Sequence, residues 1–175
     1  MRLFIAINLS SEVKDALSET IANLRHIAQR GRYSRWDNLH LTLAFIGESD
    51  RIDDITTVMT DVAERAFQKP LSITLSGAGS FKGRDGDTHW IGVQKTPELN
   101  SLAEALAAAL RNAGFEVEKR RFSPHITIGR KIVVPAGAEV QVYPVSMLAD
   151  HISLMRSDLY ADGAEYTEIA RVDCG

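Results

Sequence analysis

The sequence predicts an α+β protein whose helices pack on largely antiparallel sheets. Three observations lead there. Three stretches repeat their apolar residues at three- and four-residue steps. Seven shorter runs are continuously apolar or alternate apolar with polar. These segments follow one another as strand, helix, strand, then helix, strands, helix and strands, an order without the regular alternation of a parallel α/β sheet.

Taken in order, "RLFIAINL" from Arg2 is the first strand. Its apolar run is interrupted by Asn8 and is far too short to span a bilayer or serve as a signal peptide. The chain is therefore expected to be cytoplasmic, with no membrane association. In "SEVKDALSETIANLRHIAQ" the residues Val13, Ala16, Leu17, Ile21, Leu24 and Ile27 form one stripe, and Ser10 or Ser11 can cap its start. "HLTLAFIG" from His40 is the next strand. "SDRIDDITTVMTDVAERAF" carries Ile52, Ile55, Met59, Val62 and Ala66 on one side, with Asp50 as the expected cap. "LSITLSGAG" and "THWIGVQ" are strands joined by the loop "GRDGD", Gly83 to Asp87. In "TPELNSLAEALAAALRNAG", Thr96 caps, Pro97 sits where a missing N–H is harmless, and Gly114 ends the helix. Leu99, Leu102, Leu106 and Leu110 are its buried face. "HITIGR", the loop "PAGAE" (Pro135 to Glu139), "HISLMRS" and "YTEIARV" complete the chain.

A chain of 175 residues suits one domain, or one domain with two lobes. It buries enough surface to need no staple. Its single cysteine, Cys174, allows no internal disulfide and no cysteine-based zinc site. The net charge of −3 excludes a generally polyanion-seeking protein, but the cations are unevenly placed. Arg30, Arg32 and Arg35 approach the strand at His40; Lys119, Arg120 and Arg121 approach the strand at His125, and Arg130 and Lys131 follow it. No oligomerisation signal stands out, so the expectation is a monomer.

The informative repeat is "NLHLTLAF" against "SPHITIGR". Residues i and i+2 of a strand share a face, roughly 6.6 Å apart. His40 and Thr42 thus face one way and Leu41 and Leu43 the other; His125 and Thr127 are likewise opposed to Ile126 and Ile128. Each copy is a polar pair backed by packed aliphatics. Imidazole accepts a proton when neutral and donates one when charged, and both forms are accessible near neutral pH. A hydroxyl can hold a phosphoryl oxygen. Two such pairs facing each other supply an acid, a base and two anchors, enough for displacement at phosphorus without a metal. Which histidine is acid and which is base stays open on the residues alone. A zinc site would need a third ligand close by. The other histidines do not supply one by pattern: His26 is on a helix, His89 precedes Trp90 in a strand, and His151 is assigned a structural or peripheral place. Each motif strand is preceded by a helix, which would suit two half-units related by a pseudo-twofold axis.

With "RLFIAI" and "THWIGV", the segments "HLTLAFIGE" and "FSPHITIGRK" resemble the two-histidine (2H) phosphoesterase superfamily over nearly the whole chain. The closest resemblance is to its bacterial branch, the RNA 2',3'-cyclic phosphodiesterases, also called 2'-5' RNA ligases. The resemblance implies a single bilobal domain over residues 1–175, with a pseudo-twofold axis and a central groove fed by one motif from each lobe. It implies hydrolysis of 2',3'-cyclic phosphate ends of RNA, or of small cyclic nucleotides, to 2'-phosphomonoesters. No metal, cofactor or protein partner is implied. His40 would be the proton donor, His125 the acceptor, and Thr42 and Thr127 the phosphate anchors. The reverse reaction would join RNA ends through a 2'-5' linkage. Two further residues are candidate substrate contacts. Phe4 shares a face with Ala6 and Asn8 and would stack on a base if Leu3, Ile5 and Ile7 fill the core; a place in the core is its competing role. Arg130 would clamp phosphate, but strict alternation points it away from His125, so a bulge or strand end after Gly129 is required. Trp36 and Trp90 either line the groove or pack. The rival readings are a module that binds a nucleotide or RNA end without turnover, and a related phosphoesterase acting on ADP-ribose cyclic phosphate or 2'-5' oligonucleotides.

Overall fold

A computed structural model describes residues 1–175. The elements are β1 (Arg2–Asn8), α1 (Ser11–Ile27), β2 (Arg30–Tyr33), a 3-10 turn (Trp36–Asn38), β3 (His40–Glu48), α2 (Ile52–Ala66), β4 (Leu71–Phe81), β5 (Asp87–Val93), α3 (Pro97–Asn112), β6 (His125–Val133), β7 (Ser146–Ala149), β8 (His151–Tyr160) and β9 (Gly163–Asp173). They form two sheets, β3-β1-β8-β9 and β2-β6-β5-β4-β7. Every strand pair is antiparallel. This is the α+β arrangement the sequence predicts, with one histidine motif in each sheet.

The helix boundaries follow from local chemistry. The Ser10 hydroxyl accepts from the Val13 amide at 3.3 Å, and Thr96 does the same for Leu99 at 3.2 Å, with Pro97 at the first turn of α3. Past the end of α3, Gly114 takes φ 93°, a left-handed conformation that a Cβ would oppose. Asp50 does not cap α2. Its backbone carbonyl, and not its carboxylate, receives the Ile52 amide, and the Ser49 hydroxyl receives the Arg51 amide. Ile27 is 38 % exposed, because α1 ends there, beyond the sheet it covers. Leu99, Leu102, Leu106 and Leu110 are all fully buried, each contributing about 1.5–3 kcal/mol of burial.

Two strands escape the sequence reading. "RGRY" (β2) and "SMLA" (β7) are four residues long and only partly buried. They are strands because β6 and β4 offer them ladders.

The helices are exchanged relative to the simple half-unit. The helix that precedes the first motif, α1, packs on β2 and β6, and so supports the second motif strand. The helix that precedes the second motif, α3, packs on β3 and on α2, while α2 also meets β9. A continuous core of 35 buried residues runs through both sheets and includes Leu41, Leu43, Ile126 and Ile128. A second, small cluster of Phe4, Ala6 and Met155, with Tyr166 against it, lies on the other face of the first sheet. That face carries His40.

Candidate active site

The two motifs are built as strand periodicity requires. Leu41, Ile126 and Ile128 are fully buried and Leu43 nearly so, while His40, Thr42, His125 and Thr127 are half-buried on the opposite side of their strands. Cross-strand pairing sets Asn8 beside His40 and Ala6 beside Thr42. On the second sheet, Gly92 lies beside His125 and Trp90 beside Thr127. A Cβ on Gly92 would stand 2.8 Å from the Ser76 hydroxyl, so glycine lets β5 lie close to β4 at the level of its His125 pairing with β6.

Both imidazoles are held in the same way. Nδ1 of His40 donates to the Asn38 carbonyl at 2.7 Å, and Nδ1 of His125 donates to the Ser123 carbonyl at 2.7 Å. A carbonyl can only accept, so each Nδ1 carries the hydrogen and each neutral ring presents an unprotonated Nε2. Nε2 of His40 receives the Thr42 hydroxyl at 2.9 Å.

Each ring also rests on two aromatic side chains. Around His40 these are Phe4 (centroids 4.9 Å apart) and Tyr166 (5.1 Å, perpendicular). Around His125 they are Phe81 (5.5 Å, nearly perpendicular) and Trp90 (5.9 Å). Trp90 in turn lies flat on Gly79, where a Cβ would fall 2.3 Å from its ring. Trp90 therefore lines the second histidine's seat. Trp36 belongs instead to the α1 side: its indole N–H donates to Asp15 at 2.9 Å, and the Lys14 ammonium sits 4.5 Å above its ring.

Phe4 does not offer a face to a base. It is 4 % exposed, and its ring is taken up by His40 and Tyr166. It braces the imidazole from below. Asn8, on the same face, is tied to Ser153 at 3.2 Å and to the Glu168 carboxylate at 3.3 Å, and Ser153 donates to Glu168 at 2.7 Å.

Arg130 reaches the histidine face, through a bulge one step earlier than the sequence reading required. Trp90 pairs with Thr127, but His89 pairs with Gly129, so Ile128 is an extra residue on β6. The extra residue reverses the alternation. Gly129 turns inward, where a Cβ would meet Ile132 at 2.5 Å, and Arg130 turns outward. Burial is the main cause that lowers the pKa of His40 from the ordinary 6.5; the Asn38 carbonyl works against it, and the positive charges of Arg130, Lys14 and His125 lower it further. The charges of Arg130, Lys14 and His125 thus all act on His40, and the strands β3 and β6 that carry the two histidines approach each other.

The remaining candidates lie elsewhere. His26 is exposed on α1. His89 is 7 % exposed, and burial lowers its pKa. His151 bonds Asp150 at 2.7 Å, a contact that holds the Asp150 carboxyl below its usual range. No three side chains of His, Cys, Asp or Glu are grouped as metal ligands. Arg35 donates to the Ala164 carbonyl at 2.6 Å, and Asn38 donates to the same oxygen at 2.7 Å. Arg35 thus ties the first motif to the start of β9, near Tyr166. Lys14, Tyr166 and Phe81 were not visible as site residues in the sequence, since each is brought in by an element remote from either motif. A cavity of about 650 Å³ between the end of α2 and the start of α3 contains none of the site residues. No helix is long and apolar enough to cross a membrane.

A sequence model described as the 2'-5' RNA ligase superfamily matches residues 13–161. The chain is 35 % identical over 176 residues to the RNA 2',3'-cyclic phosphodiesterase of Thermotoga maritima, covering 95 % of this chain and 91 % of that one. It is 34 % identical over 131 residues to the protein of the same name from Escherichia coli, covering 74 % and 71 %. Among solved structures it superposes on the TT0787 protein of Thermus thermophilus with a TM-score of 0.81 at 27 % identity, covering 99 % and 97 % of the two chains. On E. coli LigT complexed with 3'-AMP the TM-score is 0.78 at 29 % identity, with the same coverage. A match of this extent, over a fold with one histidine motif in each of two antiparallel sheets, has one meaning: the chain belongs to the 2'-5' RNA ligase superfamily.

Proposed function

We propose that the chain hydrolyses the 2',3'-cyclic phosphate at an RNA 3' end to a 2'-phosphomonoester, with His40 and His125 as its acid and base. The observation that carries the proposal is the matched pair of imidazoles. Each is held through Nδ1 by a backbone carbonyl, so each neutral ring has an unprotonated Nε2, and that of His40 receives the Thr42 hydroxyl. Its relatives named RNA 2',3'-cyclic phosphodiesterase support the substrate class.

In the proposed reaction, Nε2 of His125 takes a proton from water as the water oxygen bonds to phosphorus. The P–O3' bond breaks on the opposite side, and His40 gives its Nε2 proton to O3'. The product carries a 2'-phosphate and a free 3'-hydroxyl. His125 is left protonated and His40 neutral, and solvent exchange resets both. Thr42, Thr127 and Arg130 donate to the non-bridging oxygens as charge builds there. The donor and acceptor assignment follows the family resemblance. In the free site, burial and nearby cations disfavour the charged form that His40 needs as donor. The anionic phosphate would counter those cations as it enters. With an RNA 5'-hydroxyl in place of water as the nucleophile, the same displacement would form a 2'-5' linkage, as a minor activity because water is far more abundant.

We take residues 1–175 to act as one bilobal monomer without metal or cofactor. The test is product analysis on an RNA ending in a 2',3'-cyclic phosphate. A 2'-phosphate should form in the presence of EDTA, and His40→Ala or His125→Ala should each lower turnover by about 10²–10⁴-fold. A 3'-phosphate product, tight binding without product, loss of activity in chelator, or normal turnover in either variant would overturn the reading.

A further inference from the structure

We infer that β2 and the bulge of β6 form a second phosphate-binding subsite, which receives the backbone of an RNA chain upstream of its reacting end. The inference rests on the reading of the histidine groove as an RNA-end site, and names the substrate as an oligonucleotide rather than a mononucleotide.

The geometry begins at Arg130. On β2, Arg32 pairs directly with Arg130, so the two guanidinium-bearing residues share a face of the second sheet. Beyond that pair, β6 breaks register again. Arg32 faces Arg130, but Arg30 faces Val133, and on the other side His89 faces Gly129 while Asp87 faces Ile132. The extra residue is Lys131, at φ 53°, the one residue other than glycine with positive φ. A lysine in this conformation is strained relative to glycine. Its effect is to expose Arg130 and Lys131 in succession, where a regular strand would bury one of them.

The strand and turn around the bulge fit closely. A Cβ on Gly86 would fall 2.5 Å from the Lys131 carbonyl carbon, and one on Gly31 would fall 2.7 Å from Ile132. Between them lies a cleft of about 290 Å³ lined by Arg30, Gly31, Arg32, Asp85 and Lys131. Three of its five residues are cationic. One acid, Asp85, lines it as well, and Arg30 donates to the Asp85 backbone carbonyl at 3.4 Å. None of Arg30, Arg32, Arg130 or Lys131 takes part in any of the six ion pairs of the chain. In a protein of net charge −3, a cleft whose three cations outnumber its one acid and form no ion pair concentrates positive potential locally. It joins the histidine groove through the Arg32–Arg130 pair. A polyanion anchored by its terminal phosphate at the histidines would therefore run its next phosphates across it.

The experiment compares two substrates, a nucleoside 2',3'-cyclic phosphate and an oligoribonucleotide ending in one, on the native chain and on Arg30→Gln/Lys131→Gln. Arg32 is left unchanged because it adjoins Arg130. The native chain should show a lower KM for the oligonucleotide. The double variant should raise that KM about tenfold or more, leave mononucleotide hydrolysis within about twofold, and keep its melting temperature. Binding of a labelled single-stranded oligoribonucleotide should also lose salt dependence, the log–log slope shrinking by about 1.4 for two contacts at about 0.7 each. Equal KM for the two substrates on the native chain, an unchanged oligonucleotide KM in the variant, or equal losses on both substrates would overturn the subsite. If neither substrate is turned over, the catalytic reading fails by itself. The labelled oligonucleotide then decides the subsite separately: an unchanged salt slope in the variant overturns it.

Discussion

The Thr42 hydroxyl donates to Nε2 of His40 at 2.9 Å, and His125 receives no such bond from Thr127. The two motifs are alike in sequence and in their Nδ1 anchors, yet they differ at the atom that would meet substrate. In the free protein Thr42 occupies the lone pair of the imidazole. When Nε2 is protonated it has no lone pair to offer, and the hydroxyl is released to donate elsewhere. In the proposed reaction, protonation of His40 would therefore free Thr42 to donate to a phosphoryl oxygen.

That coupling sets the expected behaviour of the threonines. Thr42→Val should lower kcat/KM by about 10²–10³-fold, the scale of losing one donor to developing charge, while Thr42→Ser keeps most of the activity. Steady-state kinetics on a cyclic-phosphate substrate decides it. A valine variant with native kcat/KM would remove Thr42 from the chemistry.

The carbonyl partners make a prediction about hydrogens. Side-chain nitrogen NMR near pH 8 should find His40 and His125 both protonated at Nδ1, because the Asn38 and Ser123 carbonyls can only accept. His26, exposed on α1, serves as the internal reference. Protonation at Nε2 in either motif ring would contradict the arrangement described.

His40 should also couple ligand binding to pH. Burial first, then the charges of Arg130, Lys14 and His125, depress its pKa below 6.5 in the folded protein. Below that value the unfolded chain binds more protons than the folded one, so His40's contribution to stability is complete above about pH 6.5 and is lost as pH falls. A bound phosphate monoester should shift the balance the other way. It favours the charged ring, so binding should take up a proton and tighten as pH drops from neutrality. Calorimetry in two buffers of different ionisation enthalpy measures the uptake; none in the native chain, or equal uptake in His40→Asn, would show that His40 is not the group that titrates.

Gly79 should matter to a histidine it never touches. A methyl group there would stand 2.3 Å from the Trp90 ring, which is itself 5.9 Å from the ring of His125. Gly79→Ala should therefore destabilise by about 1–3 kcal/mol through overpacking and lower kcat more than KM as His125 loses its seat. Thermal melts and kinetics together check this. Native kcat in a folded Gly79→Ala protein would mean Trp90 has no part in positioning.

What was legible in the residues alone is what depends on near neighbours along the chain. Period-two alternation sets His40 with Thr42 and His125 with Thr127 on faces opposite buried aliphatics. Ser10, Thr96, Pro97 and Gly114 mark helix ends because capping acts within one turn. Pairing between distant segments settled the rest, and no local pattern encodes it. Such pairing made strands of "RGRY" and "SMLA". It buried Phe4 beneath His40, brought Tyr166 and Phe81 to the two rings, and set α1 and α3 each behind the other motif's strand. Arg130 shows the division most clearly. Its own segment says only that alternation must break; the break lies at Ile128, where β6 meets both the β5 ladder and the core, and only those contacts select the residue at which the strand slips.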